Sequence, residues 1–236
     1  MLELTRRRAL IEAAIASLAV SAAVASVAAA VPRRHAGTGV GLTFLAAVWW
    51  LVWRHDDVRV AASGLSLGGL VSGPLPRAQA LARDGLRALA WALATATIAF
   101  VPFYFGWRTW WHPRAAFHLV VAPYETLNLV AGQLMLVALP EEAFYRGYLQ
   151  SRLDDALPPQ WLVLGARVGP GLLITSAVFA LGHLLTVRDP ARLAVFFPSL
   201  VFGWLRARTG GVGASIGFHV LCNLFSEALG RGYGLY

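Results

Sequence analysis

An apolar run, Leu127 to Leu139, ends on two adjacent carboxylates: the chain reads Ala138-Leu-Pro-Glu-Glu-Ala-Phe-Tyr-Arg-Gly-Tyr148. A helix over this stretch would carry Glu141, Glu142 and Arg146 into a bilayer. Ionisable side chains at membrane depth are costly and rare, and they mark functional sites by default. Two later apolar stretches each hold one histidine, His183 and His219, with no charged residue within several positions. Polar groups on three separate apolar helices read as parts of one site.

Composition agrees with that setting. The chain is 58% hydrophobic and only 14% charged, with mean hydropathy +0.61, whereas soluble domains are about one quarter charged. These values predict an all-α, polytopic transmembrane helical bundle of about seven spans, with its site in an intramembrane cavity. Its place is a membrane, and for a bacterium the inner one. The formal charge is +8, and all 20 basic residues are arginines. No arginine cluster is interleaved with aromatics on a polar face, so the basic balance reflects the loops of a membrane protein and nucleic acid is excluded as a partner. The single cysteine, Cys222, forms no intramolecular disulfide and reads as a small buried hydrophobe.

Along the chain, Arg6-Arg7-Arg8 leads into the apolar stretch Ala9 to Val31. A charged head before an apolar run also describes a signal peptide. About 23 alanine-rich residues running straight into Pro32-Arg33-Arg34 fit a spanning helix better. A second span is expected from about Gly39 to Trp53, its tryptophans in an interfacial belt. Arg54 to Arg87 reads as a cytoplasmic loop with a short amphipathic piece, broken by Gly64, Gly68, Gly69, Gly73, Pro74 and Pro76. A third span covers about Leu86 to Trp107. The fourth begins near Tyr124 and is interrupted at Pro140, where a kink is expected. Gln150 to Pro159 reads as a loop or helix end. Spans five to seven cover about 169–187, 189–204 and 212–229, and Gly213 and Gly217 in the last suit close helix approach. Alternating loops place thirteen arginines on the N-terminal side and seven opposite, which puts the N-terminus inside and the Glu141–Arg146 segment near the cytoplasmic face.

Spacing then assigns partners. Glu142 and Arg146 are four apart and share a helix face, while Glu141 is rotated by about 100° from Glu142. Pairing with Arg146 leaves Glu141 the less compensated carboxylate, and desolvation makes such a group the stronger base. The plainer reading is that both glutamates anchor a helix end at the interface. His183 alone reads as a structural hydrogen-bonder. His219 and Asn223, four apart on one face, offer an imidazole and an amide to a single external atom.

Together, Glu141-Glu142-x-x-x-Arg146, Phe179-x-x-x-His183 and His219-x-x-x-Asn223 resemble the three signature motifs of the CPBP (Abi) family of intramembrane proteases, which includes the type II CAAX prenyl endopeptidases. Gly203-Trp204 and Arg208-Thr209-Gly210, ahead of the last motif, are similar too. The resemblance spans about Leu136 to Leu229 and implies a peptidase acting on a membrane-associated or lipidated substrate. It implies Glu141 as general base on a water held by His183, with His219 and Asn223 stabilising the oxyanion and Glu142 and Arg146 orienting the site. It implies no metal and no cofactor. Residues 1–120 are not diagnostic, 121–236 read as the catalytic core, and both belong to a single membrane domain. CAAX proteins and a C-terminal sorting signal, as for the sortase-like members, both remain open as substrates. A non-catalytic scaffold or immunity protein of the same family is the rival reading, and a transporter ranks last because no pair of pseudo-symmetric broken helices is evident.

Overall fold

The computed structural model describes residues 2–71 and 74–235; Gly73, one of the expected breakers, lies outside them. The first helix, α1 (Leu2–Ala30), has neither glycine nor proline and stops at Pro32. It buries one stripe, Ala9, Ala13, Ala16, Val20 and Val24, at the three- and four-residue spacing of a helix face. Against this stripe packs α2 (Arg33–Val48), which continues through a π-helical turn, Trp49–Trp53. The expected amphipathic piece is α3 (Asp57–Ala62), capped by Asp56, which accepts a hydrogen bond from Arg59 N at 2.9 Å. Helix α4 (Ala78–Trp111) starts well before the expected Leu86 and passes through Pro102.

Residues 123–156 form one continuous helix, α5, and here the structure departs from the sequence reading. Instead of breaking at Pro140, the helix runs on through two π-helical segments, Gln133–Ala138 and Ala143–Gln150, one on each side of the proline. A π turn widens the backbone and shifts hydrogen-bond partners by one residue, which accommodates a ring that lacks an N–H and crowds the preceding turn. The sequence reading also omitted a small antiparallel hairpin, β1 (Trp161–Val163) and β2 (Ala166–Val168), paired Trp161 to Val168 and Val163 to Ala166. Its two-residue turn, Leu164-Gly165, has positive φ at both positions (46° and 77°), as type I′ turns require. The last helices are α6 (Pro170–Thr186), α7 (Phe196–Thr209, after a 3₁₀ turn) and α8 (Gly213–Gly232).

The protein is thus an all-α helical bundle and an integral membrane protein. Among the described residues, three helices are long and apolar enough to cross a bilayer: Glu3–Ala30, Arg33–Trp53 and Ala78–Trp111. The expected count of about seven spans is not reached by that measure. Helix α6 is apolar but 17 residues long, α7 has 14, and α5 and α8 are diluted by charged and polar residues. Helix α8 lies parallel to α4, with Gly213 and Gly217 against Ala88 and Ala92 and Phe100 stacked on Phe225 at 4.3 Å. The expected close approach at these glycines is present.

The bundle has two unlike ends. One gathers the start of α1, α3, the hairpin and the α7–α8 turn, tied by Val212 N to Gly64 O and Arg206 to Ala62 O. The other gathers the α1–α2 turn, the irregular 112–122 segment and the end of α8, where His118 N donates to Gly232 O. Arg33, Arg34, Arg108, Arg114, Arg188, Arg192 and Arg231 lie at the second end and Arg146 is interior, so the remaining twelve of the 20 arginines lie at the first.

Gly41 on α2 meets the backbone of α5: a Cβ there would fall 2.3 Å from Leu136 O, whereas one at Gly37 would touch nothing. Gly41→Val is therefore expected to cost about 1–3 kcal/mol through overpacking, while Gly37→Ala leaves stability unchanged or improved. Unfolding midpoints in one detergent would check this, and equal midpoints for both variants would show that the α2–α5 contact does not limit stability.

Candidate active site

The π-helical path of α5 turns a run of consecutive residues, Ala143 to Gln150, entirely inward. Within and beside it, Glu142 and Arg146 are fully buried. Glu142 Oε1 lies 3.0 Å from Arg146 Nη1, and His219 Nδ1 of α8 meets the same oxygen at 2.9 Å. A carboxylate oxygen only accepts, so Nδ1 carries the proton and Nε2 is turned the other way, 3.9 Å from Glu141 Oε2.

Arg146 reaches a third helix. Its Nη2 donates to Ser199 Oγ (2.7 Å) and Ser199 O (3.2 Å) on α7. The guanidinium lies 4.5 Å from the Phe179 ring centroid and 5.0 Å from that of Phe202, distances at which the ring quadrupole attracts a cation. One turn on, Gln150 Nε2 donates to Gly203 O at 3.2 Å. Two four-residue repeats, 146/150 and 199/203, thus lock α5 to α7.

Glu141 faces elsewhere. Its side chain is 12% exposed, and Oε2 forms no hydrogen bond to the described residues. It lines a cavity of about 50 Å³ with Tyr145, Gly182, His183 and Thr186, and with Ser21, Val24, Val40 and Phe44 of α1 and α2. His183 Nδ1 lies 3.0 Å from Phe179 O, and because a carbonyl accepts, Nδ1 is again the protonated nitrogen. Nε2 keeps its lone pair. The glycine before His183 is a steric requirement, since a Cβ on Gly182 would fall 2.9 Å from Tyr145 Oη.

Of the residues singled out in sequence, Glu141 and His183 line the cavity, while Glu142, Arg146 and His219 form a buried network behind it. Asn223 does not line the cavity: its Nδ2 donates to Gln133 Oε1 at 2.7 Å, in the first π segment of α5. The cavity lies between α5 and α6 on one side and α1 and α2 on the other, with His219 of α8 behind Glu141. It sits away from Arg6–Arg8. Ser21 and Val24 are at least thirteen residues beyond Arg8 on α1, about 20 Å at 1.5 Å per residue. The earlier placement counted Arg146 as a loop residue, but it is interior. Sequence reasoning also missed Ser199, Gln133, Gln150 and Tyr145; only Gln150, one turn after Arg146 on an inward face, carried a usable spacing signal. Among the described residues no group of three His, Cys, Asp or Glu side chains is placed to hold a metal ion.

Residues 123–225 match the family model of the type II CAAX prenyl endopeptidase Rce1-like proteins, the family that the three motifs resemble. No curated protein and no solved structure matches the chain.

Removing one partner of a buried ion pair leaves the other uncompensated, a loss of about 3–5 kcal/mol. Arg146→Met is expected to lose that much, and Ser199→Ala about 1–3 kcal/mol. Glu141→Gln, which removes a carboxylate with no cationic partner, should be neutral or stabilising. Chemical unfolding of the three variants in detergent checks the order, and a Glu141→Gln as damaging as Arg146→Met would show Glu141 to be part of the structural network.

Proposed function

We propose that the chain is a glutamic-type intramembrane endopeptidase, a reading supported by the match of residues 123–225 to the Rce1-like type II CAAX prenyl endopeptidase family model, a peptidase family. The supporting observation is the division between the two carboxylates. Glu142 is engaged by Arg146 and by His219 Nδ1, while Glu141, with His219 Nε2 no nearer than 3.9 Å, lies beside a cavity shared with Nε2 of His183. A site of about 10–15 Å³ admits one water, so 50 Å³ holds a few waters and no peptide.

In this reading Glu141 takes a proton from a water oriented by His183 Nε2. The hydroxide adds to the scissile carbonyl, and the oxyanion is met by His219 and Asn223. Collapse of the tetrahedral intermediate breaks the C–N bond, and Glu141 returns the proton to the leaving amine, giving a new carboxyl and a new amino terminus. With Nδ1–H of His219 committed to Glu142, an Nε2–H donor needs the doubly protonated ring, whose charge faces both carboxylates. Glu142 and Arg146 act through His219 and position it. Asn223 is held by Gln133 until substrate arrives. Preorganised donors of this kind contribute about 10²–10³ in kcat each.

The substrate is a membrane-associated or lipid-modified segment cleaved near its end. Arginine bias supports an N-terminus inside, with the chain in the inner membrane of a bacterium. A cavity about 20 Å from the arginine-rich end then favours cleavage toward the outer face, which suits a C-terminal sorting signal as well as a CAAX-like one. Residues 1–120 frame the core formed by 121–236.

Terminal-peptide mass spectrometry of membranes from cells carrying wild type or Glu141→Gln tests the reading. Uncleaved substrate accumulates with the variant; identical termini in both would overturn the general-base assignment. His219→Ala and Asn223→Ala should each lower processing by about 10²–10³, whereas a scaffold would tolerate both if folded. Activity should survive chelation, and one zinc per chain by elemental analysis would overturn the metal-free mechanism.

A further inference from the structure

A second cavity lies at the opposite end of the same pair of helices. It is an open cleft of about 290 Å³ between Glu12, Ile15 and Ala16 of α1, Trp50, Leu51, Arg54 and His55 at the end of α2, Arg59 of α3 and Tyr148 of α5. This is close to the lower bound of about 300 Å³ for small-ligand sites, and the peptidase chemistry uses none of it.

Its lining is divided by character. Ile15, Ala16, Leu51 and the Trp50 ring form an apolar wall continuous with the membrane-facing part of the bundle. Arg54, His55, Arg59 and the Tyr148 hydroxyl lie toward the arginine-rich end. The Arg54 guanidinium sits over the Trp50 ring at 3.7 Å while its Nε donates to Trp50 O at 2.7 Å. It is thereby oriented without being neutralised. Neither Arg54 nor Arg59 has a carboxylate within ion-pair distance. The one acidic liner, Glu12, is already bridged by Arg8 (2.8 Å) and Arg152, and Asp56 is spent capping α3. Partial burial and the nearby Arg59 and Arg54 lower the pKa of His55, against the opposing pull of Asp56, so the arginines are the cations of the cleft. One guanidinium oriented over Trp50, a second from Arg59, a hydroxyl and an aromatic wall at a membrane interface match a phosphate joined to an apolar tail. Basic pockets between membrane helices on the cytoplasmic side recognise anionic headgroups by this chemistry.

We propose that this cavity binds the phosphate headgroup of an anionic phospholipid, held by Arg54 and Arg59 with its glycerol backbone against Trp50 and Ile15. The site does not depend on the peptidase reading.

The test uses the full chain in neutral detergent, with thermal unfolding followed as phosphatidylglycerol, phosphatidylcholine or inorganic phosphate is added. Ligand that binds only the folded state raises the midpoint with concentration. Phosphatidylglycerol should raise it, phosphatidylcholine should not, and the Arg54→Gln/Arg59→Gln double variant should lose the response while unfolding normally without lipid. Arg33→Gln/Arg34→Gln, at the other end, should keep it. An equal response to both lipids, a response retained in the Arg54/Arg59 variant, or one lost equally in the Arg33/Arg34 variant would overturn the site. Protection by inorganic phosphate alone to the same extent would overturn its assignment to a lipid. If the Arg54/Arg59 variant unfolds early on its own, native mass spectrometry of wild type decides: retained phosphatidylglycerol that Tyr148→Phe and Trp50→Ala each weaken supports the site, and no retained lipid overturns it.

Discussion

The Glu142–Arg146 pair is the interaction on which the rest of the bundle depends. Two fully buried charges in a low-dielectric interior are tolerable only when paired and hydrogen-bonded. This structure meets the condition in part by drawing on three helices: Arg146 Nη2 donates to Ser199 Oγ and O on α7, and Glu142 Oε1 accepts from His219 on α8, while Glu142 Oε2 and Arg146 Nε find no hydrogen-bond partner among the described residues. A replacement by packed apolar residues would hold the helices together as well. What the ionic version adds is orientation, since it fixes which nitrogen of His219 carries the proton and where the other one points.

The same pair explains why adjacent identical residues have unlike surroundings. A rotation of about 100° per residue sends Glu142 into the network and Glu141 to the cavity. That separation was legible in the sequence from a spacing of four and a spacing of one. The flanking π segments were not, because wide turns depend on how neighbouring helices accept the shifted carbonyls rather than on local residue preference. Pro140 signalled an irregular backbone correctly but not its form. Ser199 and Gln133 were illegible for another reason: a serine and a glutamine in apolar surroundings carry no pattern until the fold shows which charged or amide group lies opposite. The hairpin was missed because three-residue strands are too short for any alternation to register.

Helices α1 and α2 read in sequence as spans with no assignable role, and the family match begins after them, at residue 123. Yet Ser21, Val24, Val40 and Phe44 form the wall that faces Glu141 and His183. The residues that the proposed peptidase reading uses therefore lie in the matched segment, while part of the wall that faces them comes from helices outside it. A cavity closed down to a few waters protects an uncompensated carboxylate from bulk solvent, and low local dielectric strengthens whatever electrostatics the site exerts. The cost is that a peptide enters only if this wall yields.

The two cavities share that wall. Ile15 and Ala16 line the one at the arginine-rich end, and Ser21 and Val24, fewer than three turns further along α1, line the one at Glu141. Leu51 and Phe44 repeat the relation on α2. A helix is stiff over such distances, and packed interiors shift between discrete arrangements rather than deforming smoothly. On the proposed peptidase reading, a displacement of α1 that admitted a peptide beside Glu141 would also reshape the cavity around Glu12 and Trp50. Any occupant that binds one arrangement of the second cavity more tightly biases the first by that difference in affinity, and substrate biases the occupant equally in return. The buried ion pair ties α5 to α7 and α8, whereas α1 and α2 are held to α5 by packing at Gly41 and by the Glu12–Arg152 bridge.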